Sequence, residues 1–108
     1  TPPVIVVGSG AAGMATALAL APLPVVLLTK TPELLSGSTP WAQGGLAAAL
    51  SPQDCPRNHA ADTITAGAGL TNPETALLLA TESISCLREA ISNGMPVDRM
   101  SDGSLCLG

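Results

Sequence analysis

The stretch Val4-Ile-Val-Val-Gly-Ser-Gly-Ala-Ala-Gly13 decides the fold of this chain. Its first four residues are all β-branched and predict a strand buried on both faces, and its three glycines follow in the G-x-G-x-x-G spacing. A run of small residues typical of a helix extends from Gly10 to Ala21, and Val25–Leu28 predicts a second, parallel strand. This context favours the strand, turn and helix of a dinucleotide-binding fold over a glycine-rich turn in another α/β protein.

Each glycine of this turn has its own expected role. Gly8 lets the chain turn tightly off the strand, and Gly13 lets the helix pack closely against it. Gly10 lets a pyrophosphate approach the backbone, and a side chain there is also expected to force the turn out of a geometry suited to glycine. Because the helix begins at this point, its free N–H groups and the positive end of its dipole face the anion.

Composition limits the class of protein. A fold of this kind needs five or six strands, and only two central strands are evident in 108 residues, so we expect the N-terminal piece of a longer chain. Apolar residues make up 46% and charged residues 11% of the chain, a balance that suits a segment largely buried in a bigger molecule. The four Lys and Arg residues are scattered and the net charge is −4, which argues against a nucleic-acid surface.

Membrane, secretory and metal-site classes are also disfavoured. No stretch reaches the roughly 18–20 apolar residues that cross a bilayer, so no membrane span is expected. Val4–Leu28 is mostly apolar, but no basic residue precedes it, and a signal peptide fits less well than the glycine turn. The three cysteines show no C-x-x-C spacing, which predicts neither a disulfide framework nor a zinc site and favours reduced thiols in a cytoplasmic protein.

The residues after the second strand depart from the simplest dinucleotide fingerprint. That fingerprint has an acidic residue about 20 positions after the glycines, to bind the ribose hydroxyls, whereas this chain has Thr29 and Lys30. The threonine hydroxyl can still bond a ribose, and Lys30 can pair with a phosphate or with a carboxylate. The alternative for Lys30 is an ordinary solvated lysine at a strand end.

A second unusual stretch is Gly37-Ser-Thr-Pro-Trp-Ala-Gln-Gly-Gly45, which follows a loop predicted from Thr31 to Pro40. Its paired glycines would let backbone amides reach a ligand closely. The alternative is a plain surface loop, but Trp41 and Ala42 are apolar residues that such a loop seldom needs. Leu46–Leu50 then predicts a short strand or a buried turn.

The remaining sequence predicts two helices and a terminal hairpin. Ser51–Asn58 is polar and is expected at the surface, with Asn58 as the cap of a short helix from His59 to Ala66 that Gly67 and Gly69 end. The lone histidine, His59, is more often structural than catalytic. The second helix has Asn72 as N-cap, Pro73 at its first position, Gly94 after its end, and one apolar stripe: Leu77, Ala80, Ile84, Leu87 and Ile91. Pro96–Gly108 predicts a hairpin around Ser101-Asp-Gly103 or, almost equally, a loop.

With these motifs in place, the chain resembles the L-aspartate oxidases, a branch of the flavoprotein family of succinate dehydrogenase and fumarate reductase. The resemblance runs through Gly8–Gly13, Gly37–Thr39 with Ala42–Gly45, Asp62-Thr63 with Ala66–Gly69, and the long helix after them. It implies that residues 1–108 are the N-terminal part of a Rossmann-like FAD-binding domain, whose capping and C-terminal helical domains are not in this chain. The implied cofactor-binding residues are Gly8, Ser9, Gly10, Ala11, Ala12, Gly13, Thr29, Lys30, Ser38, Thr39, Pro40, Trp41, Ala42, Gln43, Gly44 and Gly45.

The resemblance also implies an activity. It implies FAD in an extended pose, with the pyrophosphate at the first glycine turn, the adenosine half near Thr29 and Lys30, and the flavin wrapped by Ser38–Gly45. Ser38 stands where the respiratory members have a histidine that carries the flavin, so the FAD is expected to be non-covalent. The implied reaction is oxidation of L-aspartate to iminoaspartate, with oxygen or fumarate as acceptor and quinolinate synthase as a partner in NAD biosynthesis. The family's substrate-binding arginines and histidine lie in later segments, so no catalytic residue is named and the chain alone is expected to be inactive.

Three other functions stay open at this point. The first is the flavoprotein subunit of a fumarate reductase or succinate dehydrogenase, against which Ser38 argues. The second is an NAD(P)-binding module of an ordinary dehydrogenase, which is disfavoured by the missing fingerprint acid directly after the second strand and by the Ser38–Gly45 loop. The third is a non-catalytic module that only binds a nucleotide or a partner.

Overall fold

The computed structural model describes residues 1–34 and 37–108, which form two compact units, residues 1–45 and 46–108. The first unit contains strand β1 (Val4–Val7), helix α1 (Ala11–Ala19) and strand β2 (Val25–Leu28). The second contains helices α2 (Pro56–Ala66) and α3 (Pro73–Ser92). None of the helices in the described part of the chain is both long enough and apolar enough to cross a membrane.

The first unit confirms the predicted strand–helix–strand arrangement. β1 and β2 are parallel, with Val4 opposite Val25 and Val7 opposite Leu28. The backbone N–H of Gly8 continues the ladder by donating to the carbonyl of Leu28 at 2.8 Å. The two strands therefore end side by side, and the residues that follow each of them start from the same edge of the sheet.

Two details of this unit differ from the expectations. α1 ends at Ala19, before the expected Ala21, because the chain already turns there towards Pro22, and a residue that precedes proline avoids helical geometry. β1 is also not buried on both faces: Val6 is 8% exposed, but Val7 is 80% exposed. Helix α1 covers only the face of the sheet that carries Val6.

The rest of the first unit is largely irregular. Thr39–Trp41 forms one turn of 3₁₀ helix, closed by a hydrogen bond from the Trp41 N–H to the carbonyl of Ser38 at 3.0 Å. Of the loop predicted from Thr31 to Pro40, positions 35 and 36 lie outside the described residues.

In the second unit, α2 begins three residues earlier than predicted. Cys55 is its N-cap residue and Pro56 stands at the first helical position, which proline tolerates because that N–H has no partner inside the helix. Asn58 therefore lies within the helix and does not cap it, so that prediction was wrong. The helix ends at Ala66 with Gly67 as the C-cap residue, as expected.

α3 follows its sequence signals closely. The Asn72 side chain accepts a hydrogen bond from the Thr75 N–H at 2.9 Å, Pro73 opens the helix, and Gly94 after its end has φ +101°. α3 packs on α2 through three alanines, Ala60 of α2 and Ala76 and Ala80 of α3, each no more than 5% exposed, with Ile64 beside them.

One member of the predicted stripe of α3 differs from the rest. Leu77 is 37% exposed, whereas Ala76 and Ala80 are buried, so the alanines carry the tight contact between the helices. Small side chains let the two helix backbones approach each other closely, and the longer leucine is displaced to the edge of the contact.

Residues 46–50 form neither a strand nor any other regular element. Ala49 is buried, so of the two predicted alternatives the buried turn is closer to what is found.

At the other end of the unit, Arg99 and Leu105 form an antiparallel bridge around a turn, which confirms a minimal hairpin. In that turn the hydroxyl and N–H of Ser104 donate to the Asp102 carboxylate at 2.6 and 2.9 Å, and these bonds lower the pKa of Asp102.

Candidate dinucleotide-binding site

A cleft of about 470 Å³ opens where the two parallel strands end. Ligands of open α/β sheets bind at this carboxyl edge. The cleft is lined by the end of β1 and the glycine turn, by the end of β2, and by one residue of the following loop: Val7, Gly8, Ser9, Gly10, Leu28, Thr29, Lys30 and Gly37. The structure thus brings Thr29 and Lys30 to the same cleft as the glycine turn (residues 8–13), as the sequence predicts.

The glycine turn is shaped by two of its glycines. Gly8 has φ +108°, a conformation that L-amino acids with a side chain rarely adopt, so it is required by the backbone turn itself. Gly13 is required by packing, because a Cβ there would overlap the carbonyl oxygen of Gly8 and lie 3.7 Å from Val6 Cγ1. Both observations agree with the predicted tight turn and close helix–strand packing.

Gly10 differs from both. Its φ is −72° and its ψ is 177°, a conformation open to any residue, so the expected glycine-specific geometry was wrong. A Cβ at Gly10 would instead lie 3.3 Å from the hydroxyl oxygen of Thr39. The space beside Gly10 is therefore bounded by a side chain 29 positions further along the chain.

Thr39 is bonded to the first turn of α1. Its Oγ1 accepts a hydrogen bond from the backbone N–H of Ala11 at 3.0 Å. Gly10, the N-cap residue, has no side chain to make such a bond. Sequence reasoning placed Thr39 among the cofactor-binding residues but missed this contact, because no local signal links positions 28 residues apart.

A second hydrogen bond joins the turn to the end of β2. The hydroxyl of Ser9 donates to Thr29 Oγ1 at 3.0 Å, and Ser9 is only 4% exposed. Because parallel strands place their carboxyl ends together, this pairing could have been anticipated from the positions of Ser9 and Thr29 just after each strand. It fixes the two walls of the cleft against each other.

The donors around the cleft suit a pyrophosphate. The first backbone bond inside α1 runs from the Met14 N–H to Gly10, so the N–H groups of Ala12 and Gly13 precede the helix's own ladder. No acidic residue occupies the first turn of α1, and no carboxylate lines the cleft among residues 1–34 and 37–108. Lys30 adds a positive charge at the rim, where a solvated ammonium group remains accessible.

Residues 38–45 lie mainly outside the cleft. All eight are exposed, and Trp41 is 86% exposed. A Cβ at Gly44 or Gly45 would meet nothing within 4 Å among the described residues, so the packing of this unit does not require either glycine. Thr39 is in contact with the glycine turn, and the roles implied for the other seven positions stay predictions.

A second cleft, of about 330 Å³, lies within the other unit. It is lined in part by Asp54, His59 and Asp62, and the buried Nδ1 of His59 has no hydrogen-bond partner among the described residues. No group of three or more His, Cys, Asp or Glu side chains in the described part of the chain is arranged to hold a metal ion.

The chain matches the family model described as FAD binding domain over residues 3–107. This chain belongs to the FAD-binding domain family. FAD is therefore the dinucleotide of the family to which the glycine turn belongs, and the predicted Rossmann-like fold class and cofactor are confirmed.

Three similar proteins share the name L-aspartate oxidase. The chain is 44% identical over 104 residues to an L-aspartate oxidase of Mesorhizobium japonicum, with 96% of this chain and 20% of the relative covered. It is 45% identical over 106 residues to that of Streptomyces coelicolor, covering 96% of this chain and 18% of the relative. The corresponding values for Nostoc sp. are 47% over 97 residues, 89% and 17%. The chain thus spans about a fifth of the length of the curated relatives it matches. No solved structure matches it.

Proposed function

We propose that this chain holds the FAD of an L-aspartate oxidase. The observation that carries the proposal is its identity of 44% and 45% to two proteins of that name over 96% of its own length. The cleft supports it, because a glycine turn, a helix start without acidic residues and Lys30 are grouped at the carboxyl edge of the sheet. That arrangement suits the binding of a dinucleotide with a charged pyrophosphate.

The roles proposed for the residues follow from their positions. The glycine turn receives the pyrophosphate, with backbone N–H groups at Ala12 and Gly13 as donors. Thr29 and Lys30 lie beside the adenosine half. Residues 38–45 reach the flavin half, where the backbone of Gln43, Gly44 and Gly45 can approach a planar ring without interference from side chains.

When bound, FAD supplies the redox chemistry, the removal of a hydride from the α-carbon of L-aspartate to give iminoaspartate. This chain's own contribution is to bind and orient the cofactor. Oxygen or fumarate is proposed as the electron acceptor, and quinolinate synthase as the enzyme that consumes the product in NAD biosynthesis. A cytoplasmic location is consistent with three cysteines that are all free thiols.

The cofactor is tested by its release from the full-length protein. We expect a yellow protein whose heat-released nucleotide elutes as FAD on chromatography. A colourless protein that retains a nicotinamide nucleotide would contradict the proposal, and it would instead support an ordinary dehydrogenase module.

The substrate is tested separately. We expect L-aspartate to bleach the flavin absorbance of the anaerobic holoprotein, with succinate and L-glutamate as matched dicarboxylate controls that leave it unchanged. Bleaching by succinate and not by L-aspartate would show a succinate dehydrogenase or fumarate reductase subunit. A holoprotein that none of the three reduces would contradict the oxidase assignment while leaving FAD binding intact.

A further inference from the structure

Thr39 connects two parts of the site that are far apart in sequence. Its hydroxyl oxygen accepts the Ala11 N–H at 3.0 Å, and its own turn is closed by hydrogen bonds at both Trp41 and Ala42, of 3.0 and 3.2 Å. Residues 38–42 are thus held as a turn, and the turn is held on the start of α1. This hydrogen bond joins residues 38–45 to the glycine turn.

The contact supplies a side-chain acceptor at a helix start whose N-cap residue has none. A helix start leaves its first N–H groups without partners inside the helix, and a side-chain oxygen of the N-cap residue usually accepts one of them. Here the N-cap residue is Gly10, which makes no side-chain bond. Thr39 supplies the acceptor from 28 positions away, so part of the order of α1's first turn depends on residues 38–42 staying in place.

Gly10 leaves the room that this contact needs. Its backbone conformation is ordinary, but a Cβ would stand 3.3 Å from Thr39 Oγ1, closer than ordinary van der Waals contact. Even a methyl group there would push the hydroxyl away from the Ala11 N–H. Thr39 therefore limits the space for a side chain at position 10, in addition to any limit that a bound phosphate sets.

We propose that Thr39 is a positioning residue, whose hydroxyl fixes residues 38–45 on the helix start so that the two halves of the FAD site are ordered together before the cofactor binds. The inference rests on the proposed role of residues 38–45 in FAD binding. Without the hydroxyl, FAD would have to order this segment as it binds, and that conformational cost would weaken its affinity.

Variants of Thr39 in the full-length apoprotein test the hydrogen bond directly. Thr39→Val keeps the shape but removes the acceptor, Thr39→Ser keeps the acceptor, and Thr16→Val is a matched control in α1, where the hydroxyl bonds only the carbonyl of Ala12. We expect Thr39→Val to speed hydrogen exchange of the peptide containing Ala11 and to weaken FAD binding by about fivefold, the scale of a lost helix cap. Thr39→Ser and Thr16→Val should resemble the wild type in both measurements.

Three outcomes would overturn the inference. Unchanged exchange in Thr39→Val would show that the bond does not order the helix start, and this readout needs no FAD. Unchanged FAD affinity in Thr39→Val would show that the order does not reach the cofactor. Equal losses in Thr39→Ser and Thr39→Val would show that the methyl group matters and not the hydroxyl. A wild type that binds no FAD would instead contradict the proposed function, while the exchange comparison still decides the Thr39–Ala11 contact.

A double-mutant cycle tests the link to Gly10. We expect Gly10→Ala to weaken FAD binding less in a Thr39→Ala background than in the wild type, because the crowded oxygen is then absent. If the two losses multiply, Gly10 is required by something other than Thr39, and the proposed link between them is wrong.

Discussion

Positions 8, 10 and 13 are all glycine, but for three different physical reasons. Gly8 is required by its backbone conformation, with φ +108°, and its missing Cβ would meet nothing. Gly13 is required by packing, because a Cβ there would overlap the backbone carbonyl of Gly8. Gly10 has an ordinary conformation and borders a hydroxyl. A G-x-G-x-x-G pattern read only by its spacing would not separate these three requirements, although each of them predicts a different response to alanine.

Gly13→Ala is expected to destabilise the full-length protein. Its Cβ would overlap a backbone carbonyl, which cannot rotate away, so the helix must move from the strand. Overpacking of this kind costs roughly 1–3 kcal/mol of unfolding free energy. Chemical denaturation of the apoprotein measures it, with Gly45→Ala as the control, because a Cβ at Gly45 meets nothing within 4 Å. Equal midpoints for the two variants would show that α1 is not packed against β1 as described.

Gly44→Val is expected to affect the cofactor and not the fold. The space around Gly44 is open among the described residues, so the side chain disturbs no contact within its own unit. If its backbone lies against the flavin, whose charge fixed N–H dipoles can stabilise, valine should weaken FAD binding or shift the reduction potential. Titration of the apoprotein and a potentiometric measurement check this. Unchanged affinity together with an unchanged potential would leave Gly44 and Gly45 only the role of leading the chain into residues 46–50.

At the scale of elements, different local signals set the starts of α2 and α3. α3 starts where the sequence predicts, because Asn72 accepts the Thr75 N–H and proline follows it. α2 starts at Pro56 although Cys55, its N-cap residue, makes no side-chain cap bond, and the better capping residue, Asn58, lies inside the helix. Proline at the first helical position thus fixed this boundary more strongly than the available capping side chain.

The two asparagines make a matched pair. Asn72→Ala removes a capping bond, which typically costs about 1 kcal/mol, so local hydrogen exchange at the first turn of α3 should accelerate by roughly fivefold. Asn58→Ala replaces an exposed residue within α2 by a better helix former and should leave exchange there equal or slower. Faster exchange after Asn58→Ala would mean that Asn58 is a cap after all and that α2 begins at His59.

What the sequence could predict depended on the range of the interactions. Strand pairing, the C-terminal end of α2, the cap of α3 and the grouping of Thr29 and Lys30 with the glycine turn follow from local signals and from parallel topology. The contact of Thr39 with Ala11 does not, because it joins residues 28 positions apart with no periodic pattern between them. Leu77 was expected on the inner face of α3 because it is apolar, but the close approach of the helices selects the smaller Ala76 and Ala80.

At the scale of the whole molecule, many large apolar side chains of the described residues are exposed to solvent. Buried hydrophobic side chains in the described residues are one valine and four alanines, while Ile5 and Val7 are 62% and 80% exposed. A doubly wound fold has helices on both faces of its sheet, and α1 covers only one face here. We therefore expect the uncovered face of β1 to become protected from solvent in the full-length protein. Hydrogen–deuterium exchange checks this, because the amides of β1 should then exchange more slowly than those of the glycine turn.

The manner in which the full-length protein holds its flavin gives the last prediction. Ser38 is exposed at the start of the segment proposed to reach the flavin, at the position where the respiratory flavoproteins of the resemblance carry the flavin on a histidine. A serine hydroxyl cannot replace the imidazole nitrogen in that linkage, so we expect binding to depend on the non-covalent contacts proposed for the glycine turn, Thr29, Lys30 and residues 38–45. Acid precipitation of the holoprotein should leave the flavin fluorescence in the supernatant, with apoprotein precipitated in added FAD as the control for trapped cofactor. Fluorescence that stays with the washed polypeptide above that control would show a covalent bond and would remove the distinction based on Ser38.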